Sequence, residues 1–214
     1  DALPPDAPPA VGFPIVAIGA SAGGLAALSQ LLEHIPADSG LAFVVVTHLE
    51  PRHESHMPHL LARHTLMPVS HAQDGELVEP DHVYVIPPNA LLRIARGTLH
   101  LQALPDRSSR PKPIDVFMGD LARDQTRASV AIVLSGIDAD GTVGVKHVKA
   151  QGGMVMAQEP QSAEYPDMPL NAVATGLADF ILPAEQMGPV LVDYARTASL
   201  RAGSSKPATG APAL

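Results

Sequence analysis

A chain of 214 residues that is 46% hydrophobic and only 17% charged can build one α/β domain with a substantial core, and it is too apolar for a disordered segment. Its 14 Lys and Arg stand against 22 Asp and Glu, a formal charge of −8, which argues against the basic surface that a nucleic-acid backbone requires. The absence of cysteine excludes disulfides, thiolate nucleophiles and Cys-ligated metals, and no apolar run is long enough to insert in a membrane.

Residues 1–13, with Pro4, Pro5, Pro8 and Pro9, read as a proline-rich linker, residues 14–200 as one domain, and residues 201–214 as a flexible tail. Ile15 to Ile18 is a short continuous apolar run, the signature of a buried parallel strand. It enters the turn Gly19-Ala-Ser-Ala-Gly-Gly24, and Leu25, Leu28, Leu31 and Leu32 then recur at helical spacing. A second apolar run, Leu41 to Val46, ends in Thr47-His48, so this stretch reads as a βαβ unit with parallel strands. Arg52 to His64 suggests a helix with Pro58 in its first turns. Between Met67 and Leu101, short strands alternate with turn signals such as Asp74-Gly75, which predicts an antiparallel hairpin region appended to the sheet. A helix is expected from Ile114 to Ala128, a third apolar strand over Ser129 to Leu134, and then the loop Ser135-Gly-Ile-Asp-Ala-Asp-Gly141 before another helix. Met154 to Ala157 and Asp179 to Leu182 read as further strands, Asp167 to Asn171 as a helix start, and Met187 to Leu200 as a closing helix. The predicted fold is α/β, a doubly wound, mostly parallel sheet with helices on both faces, three layers and Rossmann-like, with the appended antiparallel hairpin.

Three apolar strands therefore end at Ser21, His48 and the loop carrying Asp138 and Asp140, and ligands of open parallel sheets bind at the carboxyl ends of the strands. A serine hydroxyl becomes a nucleophile when an imidazole takes its proton, and the imidazole needs a carboxylate to fix its tautomer. Backbone N–H groups at Ala22 to Gly24 are suited to hold an oxyanion. Each residue also has a plainer reading: the glycine turn as a phosphate cradle, His48 as a hydrogen-bonded structural side chain, Asp140 as a turn residue or helix cap before Gly141. His53, His56 and His59 invite a metal site, but Pro58 interrupts the segment and no His-Glu-x-x-His pattern is present, so no metal is expected.

Gly19-Ala-Ser-Ala-Gly-Gly24, the strand-end His48, Val83-Tyr-Val-Ile-Pro-Pro-Asn89, Pro113-Ile-Asp-Val116, Leu134-Ser-Gly-Ile-Asp-Ala-Asp-Gly141, Gly152-Gly153 with Ala157-Gln-Glu159, and Asp167-Met-Pro169 follow one another in a set order. In this the chain resembles the catalytic domain of the chemotaxis protein-glutamate methylesterases, the CheB family, from about Pro14 to Leu200. The resemblance implies hydrolysis of glutamyl methyl esters, and deamidation of glutamines, on chemoreceptor cytoplasmic helices, without a cofactor. By position it implies Ser21, His48 and Asp140 as catalytic residues; Ala22, Gly23 and Ile137 are expected as oxyanion or active-site lining, and Met168 and Pro169 as substrate-groove candidates. The implied partner is a methylated chemoreceptor or related signalling protein, in the cytoplasm, with other signalling domains fused to this one. The chain departs from the family pattern at Ala22, Thr47 and Ile137-Asp138, where threonine, glutamine and Met-Gly are frequent. A non-catalytic regulatory or receptor-binding module on the same fold, and a nucleotide-binding α/β domain, are the competing expectations.

Overall fold

The structure, a computed structural model, describes residues 11–47, 56–104 and 112–204, with side chains through residue 198. The first apolar run forms strand β1 (Ile15–Ala20) and the second forms β2 (Ala42–Thr47), and every residue of both is buried. Side chains alternate between the two faces: Ile15, Ala17, Ala42 and Val44 enter one core, Val16, Ile18, Phe43 and Val45 the other. A strand covered on both sides has no polar face to show, which is why its sequence is continuously apolar.

Five more strands complete an all-parallel sheet: β3 (Val69–His71), β5 (His82–Val85), β8 (Ser129–Val133), β9 (Met154–Gln158) and β10 (Phe180–Leu182), in the order β10-β9-β8-β1-β2-β5-β3. A separate antiparallel sheet holds β4 (Glu76–Leu77), β7 (Thr98–Ala103) and β6 (Ala90–Ala95). The region 67–101 is thus divided. Its antiparallel part is as expected, but β3 and β5 belong to the parallel sheet. Val83 and Tyr84 face opposite cores there. A four-residue apolar strand carries no signal for the direction of its neighbour, so periodicity could not make this distinction.

Helix α1 (Gly24–Leu32) and helix α6 (Ala184–Ser204) cover one face of the sheet, with Leu28, Leu31, Met187 and Leu191 in that core. On the other face lie α3 (Pro113–Gln125), α4 (Thr142–Ala150) and α5 (Asp167–Ala174), contributing Ile114, Phe117, Val145, Val148 and Met168. The small sheet packs on this second face through Leu92, Ile94 and Leu99. Helix α2 is only Met57–Leu61, shorter than the expected 52–64, of which residues 52–55 lie outside the described part. Helix α3 stops at Gln125 and a 3₁₀ turn, Thr126–Ala128, follows. Thr126 has a φ of +48°, which ends the α-helix.

Strand order reverses at β1. The chain leaves β1 through α1 on one face to reach β2, and leaves β8 through α4 on the other face to reach β9. With right-handed crossovers this places a crevice above the carboxyl ends of β1 and β8.

Candidate active site

Ser21 is the first residue beyond β1. Its N–H donates to the Ser135 carbonyl at 3.0 Å, which extends the β1–β8 ladder by one step and carries the backbone of Ser21 to the rim. The next turn closes when Gly24 N–H donates to the Ser21 carbonyl at 2.9 Å, and α1 begins. Gly23 has a φ of +70°, in the left-handed region, and a Cβ there would stand 2.7 Å from Ser135 Oγ and 2.9 Å from Glu164 Oε2. Conformation and space both require glycine. Among the described residues, the N–H groups of Ala22 and Gly23 have no hydrogen-bond acceptor, and neither does Ser21 Oγ. A hydroxyl thus stands beside two open donors at a helix N-terminus, an arrangement that can stabilise developing negative charge.

The other wall is the loop after β8. Gly136 has no side chain because a Cβ would fall 2.9 Å from Ser21 Cβ and 2.1 Å from Met168 Sδ. Ser21 and the Met168 thioether therefore meet across this glycine. Met168 and Pro169 are both buried in the first turn of α5, and Met168 N–H donates to the Gly136 carbonyl at 3.0 Å. Exposed apolar side chains nearby in the chain are Ile137, Val143, Tyr165 and Leu170.

Of the two loop carboxylates, Asp138 is exposed, while Asp140 is 1% exposed. Asp140 Oδ2 accepts the Ile114 N–H at 3.1 Å, and Oδ1 accepts the Asp115 and Gly141 N–H groups, both at 2.9 Å. It caps α3 rather than the helix that follows it, which is Gly141-capped. Asp115 returns the arrangement: its Oδ1 accepts the Val143 and Gly144 N–H groups at the start of α4, at 2.8 and 2.7 Å. Burial first, and the Asp140 charge behind it, push the Asp115 carboxyl above its ordinary value, against those two N–H bonds and Lys112. Asp138 Oδ1 accepts the Asp140 N–H at 2.7 Å, and its own backbone has a φ of +94°.

The third residue, His48, lies outside the described residues, as do His53 and its neighbours up to residue 55. What precedes His48 is defined: Thr47 ends β2 in register with Ala20, the residue before Ser21. The structure thus brings Ser21, Ala22, Gly23, Ile137 and Asp140 to adjoining loops after β1 and β8, with Met168 and Pro169 in the buried first turn of α5. Two side chains that the motifs do not single out also stand at this rim. Ser135 is buried beneath the Ser21 turn, and Glu164 lies against Gly23. The signal for Ser135 is its place at the head of the Ser-Gly-Ile-Asp-Ala-Asp-Gly loop.

A parallel α/β domain with a serine at its topological switch point and a buried carboxylate on the neighbouring loop defines a class of open-sheet proteins whose chemistry sits above the strand ends. The chain belongs to the CheB methylesterase family, whose sequence profile matches residues 16–191. The protein-glutamate methylesterase/protein-glutamine glutaminase 2 of Burkholderia lata is 35% identical over 192 residues, covering 89% of this chain and 57% of that protein. An uncharacterized 104.1 kDa protein of Rhodobacter capsulatus is 42% identical over 138 residues, 64% of this chain and 14% of that one. The crystal structure of the Thermotoga maritima CheB methylesterase catalytic domain superposes with a TM-score of 0.78 at 29% identity, over 86% of this chain and all of that one. The chain spans little more than half the length of the Burkholderia relative and a small part of the Rhodobacter protein.

Proposed function

We propose that this domain hydrolyses glutamyl methyl esters on a protein, with Ser21 as nucleophile, His48 as general base and Asp140 as the carboxylate that orients it. The observation that carries the reading is Ser21 on the turn at the switch point, beside the open N–H groups of Ala22 and Gly23, with the buried Asp140 on the neighbouring loop after β8. Ser21 Oγ attacks the ester carbonyl as His48 takes its proton, and the oxyanion is held by the two N–H groups. Collapse breaks the C–O bond, and His48 returns the proton to methanol. Water, deprotonated by His48, then attacks the acyl-serine and releases the glutamate carboxylate. A glutamine side chain follows the same steps with ammonia leaving. No cofactor is required.

The proposed substrate is a methylated chemoreceptor or related signalling protein, reached in the cytoplasm, by a longer protein in which this domain is joined to others. Among the described residues no helix is long and apolar enough to cross a membrane. A phosphate-binding use of the turn is disfavoured by its surroundings: the carboxylates of Asp138, Asp140 and Glu164 lie on the adjoining loops. Ser21→Ala should lower methanol release from a methylated receptor by about 10⁴ or more with the fold retained. Wild-type turnover by that variant would overturn the proposal.

A further inference from the structure

The buried hydroxyl of Ser135 has no part in the chemistry above, yet both its hydroxyl and its carbonyl are hydrogen-bonded to the Ser21 turn. Ser135 is 1% exposed. Its Oγ–H donates to the Ala22 carbonyl at 2.8 Å, and its Oγ accepts the Tyr165 N–H at 3.0 Å. The Tyr165 carbonyl, at 3.4 Å, is a longer alternative acceptor, so the hydroxyl hydrogen is best placed on Ala22. Its main chain is held as well. The Ser135 N–H donates to Gln158 Oε1 at 2.9 Å, its carbonyl accepts the Ser21 N–H at 3.0 Å, and Gln158 Nε2 donates to the Ser162 carbonyl and Oγ at 3.2 and 3.3 Å.

The consequence follows from the planarity of one peptide. The Ala22–Gly23 bond is trans, as are all the peptide bonds of the described residues, so its C=O and N–H point in opposite directions. Tying the Ala22 carbonyl to a buried hydroxyl turns the Gly23 N–H away from the interior, toward the rim where Ser21 stands. In the same turn the Ser21 carbonyl is engaged by Gly24 N–H, which directs the Ala22 N–H outward in its turn. The turn rests directly on the hydroxyl, since a Cβ at Gly23 would lie 2.7 Å from Ser135 Oγ. We propose that Ser135 is a positioning residue for the esterase reaction: its hydroxyl sets the Ala22–Gly23 peptide plane and so aims the Gly23 N–H at the oxyanion. This rests on the esterase reading of Ser21.

An oxyanion donor is engaged more strongly in the transition state than in the ground state, so its misalignment should appear in kcat rather than KM. The test measures methanol release from an N-acetylglutamyl peptide γ-methyl ester, and binding of a trifluoromethyl ketone analogue that forms a tetrahedral adduct with serine. Ser135→Ala should lower kcat about ten- to a hundredfold, change KM less than about twofold, and weaken the ketone by the same factor as kcat/KM. Ser135→Thr, which keeps the hydroxyl, should restore kcat to within about threefold. If Ser135→Ala does not fold, Ser135→Cys keeps the volume with a weak donor and must show the same kcat-borne loss. Wild-type kcat and ketone affinity in the folded variant, or a loss carried wholly by KM, would overturn the assignment. A Ser21→Ala control distinguishes the two failures. An inactive control beside an undisturbed Ser135→Ala overturns only the role of Ser135, whereas a fully active control brings down the esterase reading itself.

Discussion

Asp138 is the exposed carboxylate of the loop after β8. It occupies a left-handed backbone position, φ +94°, where glycine is the unstrained choice, and its carboxylate accepts the Asp140 N–H. That hydrogen bond offers a local reason for tolerating an aspartate there, since Asp and Asn are the non-glycine residues best suited to such positions. The same carboxylate sets a negative charge beside a site proposed to bind an anionic transition state. Asp138→Asn keeps the acceptor and removes the charge, and kcat/KM for a glutamyl methyl ester should rise by about two- to threefold at low ionic strength. Because Asp138 is exposed, the gain should shrink as salt is raised toward about 0.5 M. A gain independent of salt would mean that backbone relaxation, and not charge, is responsible.

At the scale of elements, α3 and α4 hold each other by exchanged caps. Asp140, before α4, accepts N–H groups of α3, and Asp115, in α3, accepts N–H groups of α4. Their N-termini can approach because Gly144 has no Cβ, which would otherwise stand 2.6 Å from that of Met118. Two carboxylates so placed serve both helices, and the proposed histidine partner is anchored to a helix end as a result. Removing the Asp115 cap with Ala should cost about 0.5–2 kcal/mol. The charge itself has the opposite effect. Asp115 has a folded-state pKa above its ordinary 3.8, so its contribution to stability is present in full below that value and is lost as pH rises through the raised one. Asp115→Asn retains an oxygen for both N–H groups and cannot ionise. Its Tm relative to wild type should therefore increase between about pH 4 and about pH 7. Parallel Tm profiles across that range would show that the Asp115 charge is not felt.

Considered as a whole molecule, the domain has its proposed site where strand order reverses, and the loop after β8 and the start of α5 carry exposed apolar side chains: Ile137 on the β8 loop, Tyr165 before α5 and Leu170 on α5. A protein substrate can cover them and a small ester cannot. Ile137→Ser combined with Leu170→Ser should therefore raise KM for a methylated protein about five- to tenfold more than for a small glutamyl methyl ester. Equal effects on both substrates would place the apolar rim outside the recognition surface.

Much of this architecture is legible in the amino-acid sequence. Continuous apolar runs identify β1, β2 and β8 because strands buried on both faces must be apolar throughout, and the residues after those runs are the candidate chemistry: Ser21, His48 and the Asp138/Asp140 loop. The family can also be read, from short motifs in a set order. Other features are closed to sequence reasoning because they are pairings between distant segments. No local pattern states that β3 and β5 join the parallel sheet, that Asp140 caps a helix beginning 27 positions before it in the chain (Pro113 against Asp140), or that Asp115 returns the cap. A hydrogen-bonding side chain is equally polar in a turn and in a buried network, so only its partners distinguish the uses. The sequence by itself therefore determined the layers, the strand ends and the residue types at the rim, through the apolar demands of burial and the backbone demands of glycine. Tertiary structure alone decided which carboxylate is buried and which hydroxyl sets the Ser21 turn, because those depend on contacts between loops that neither periodicity nor propensity records.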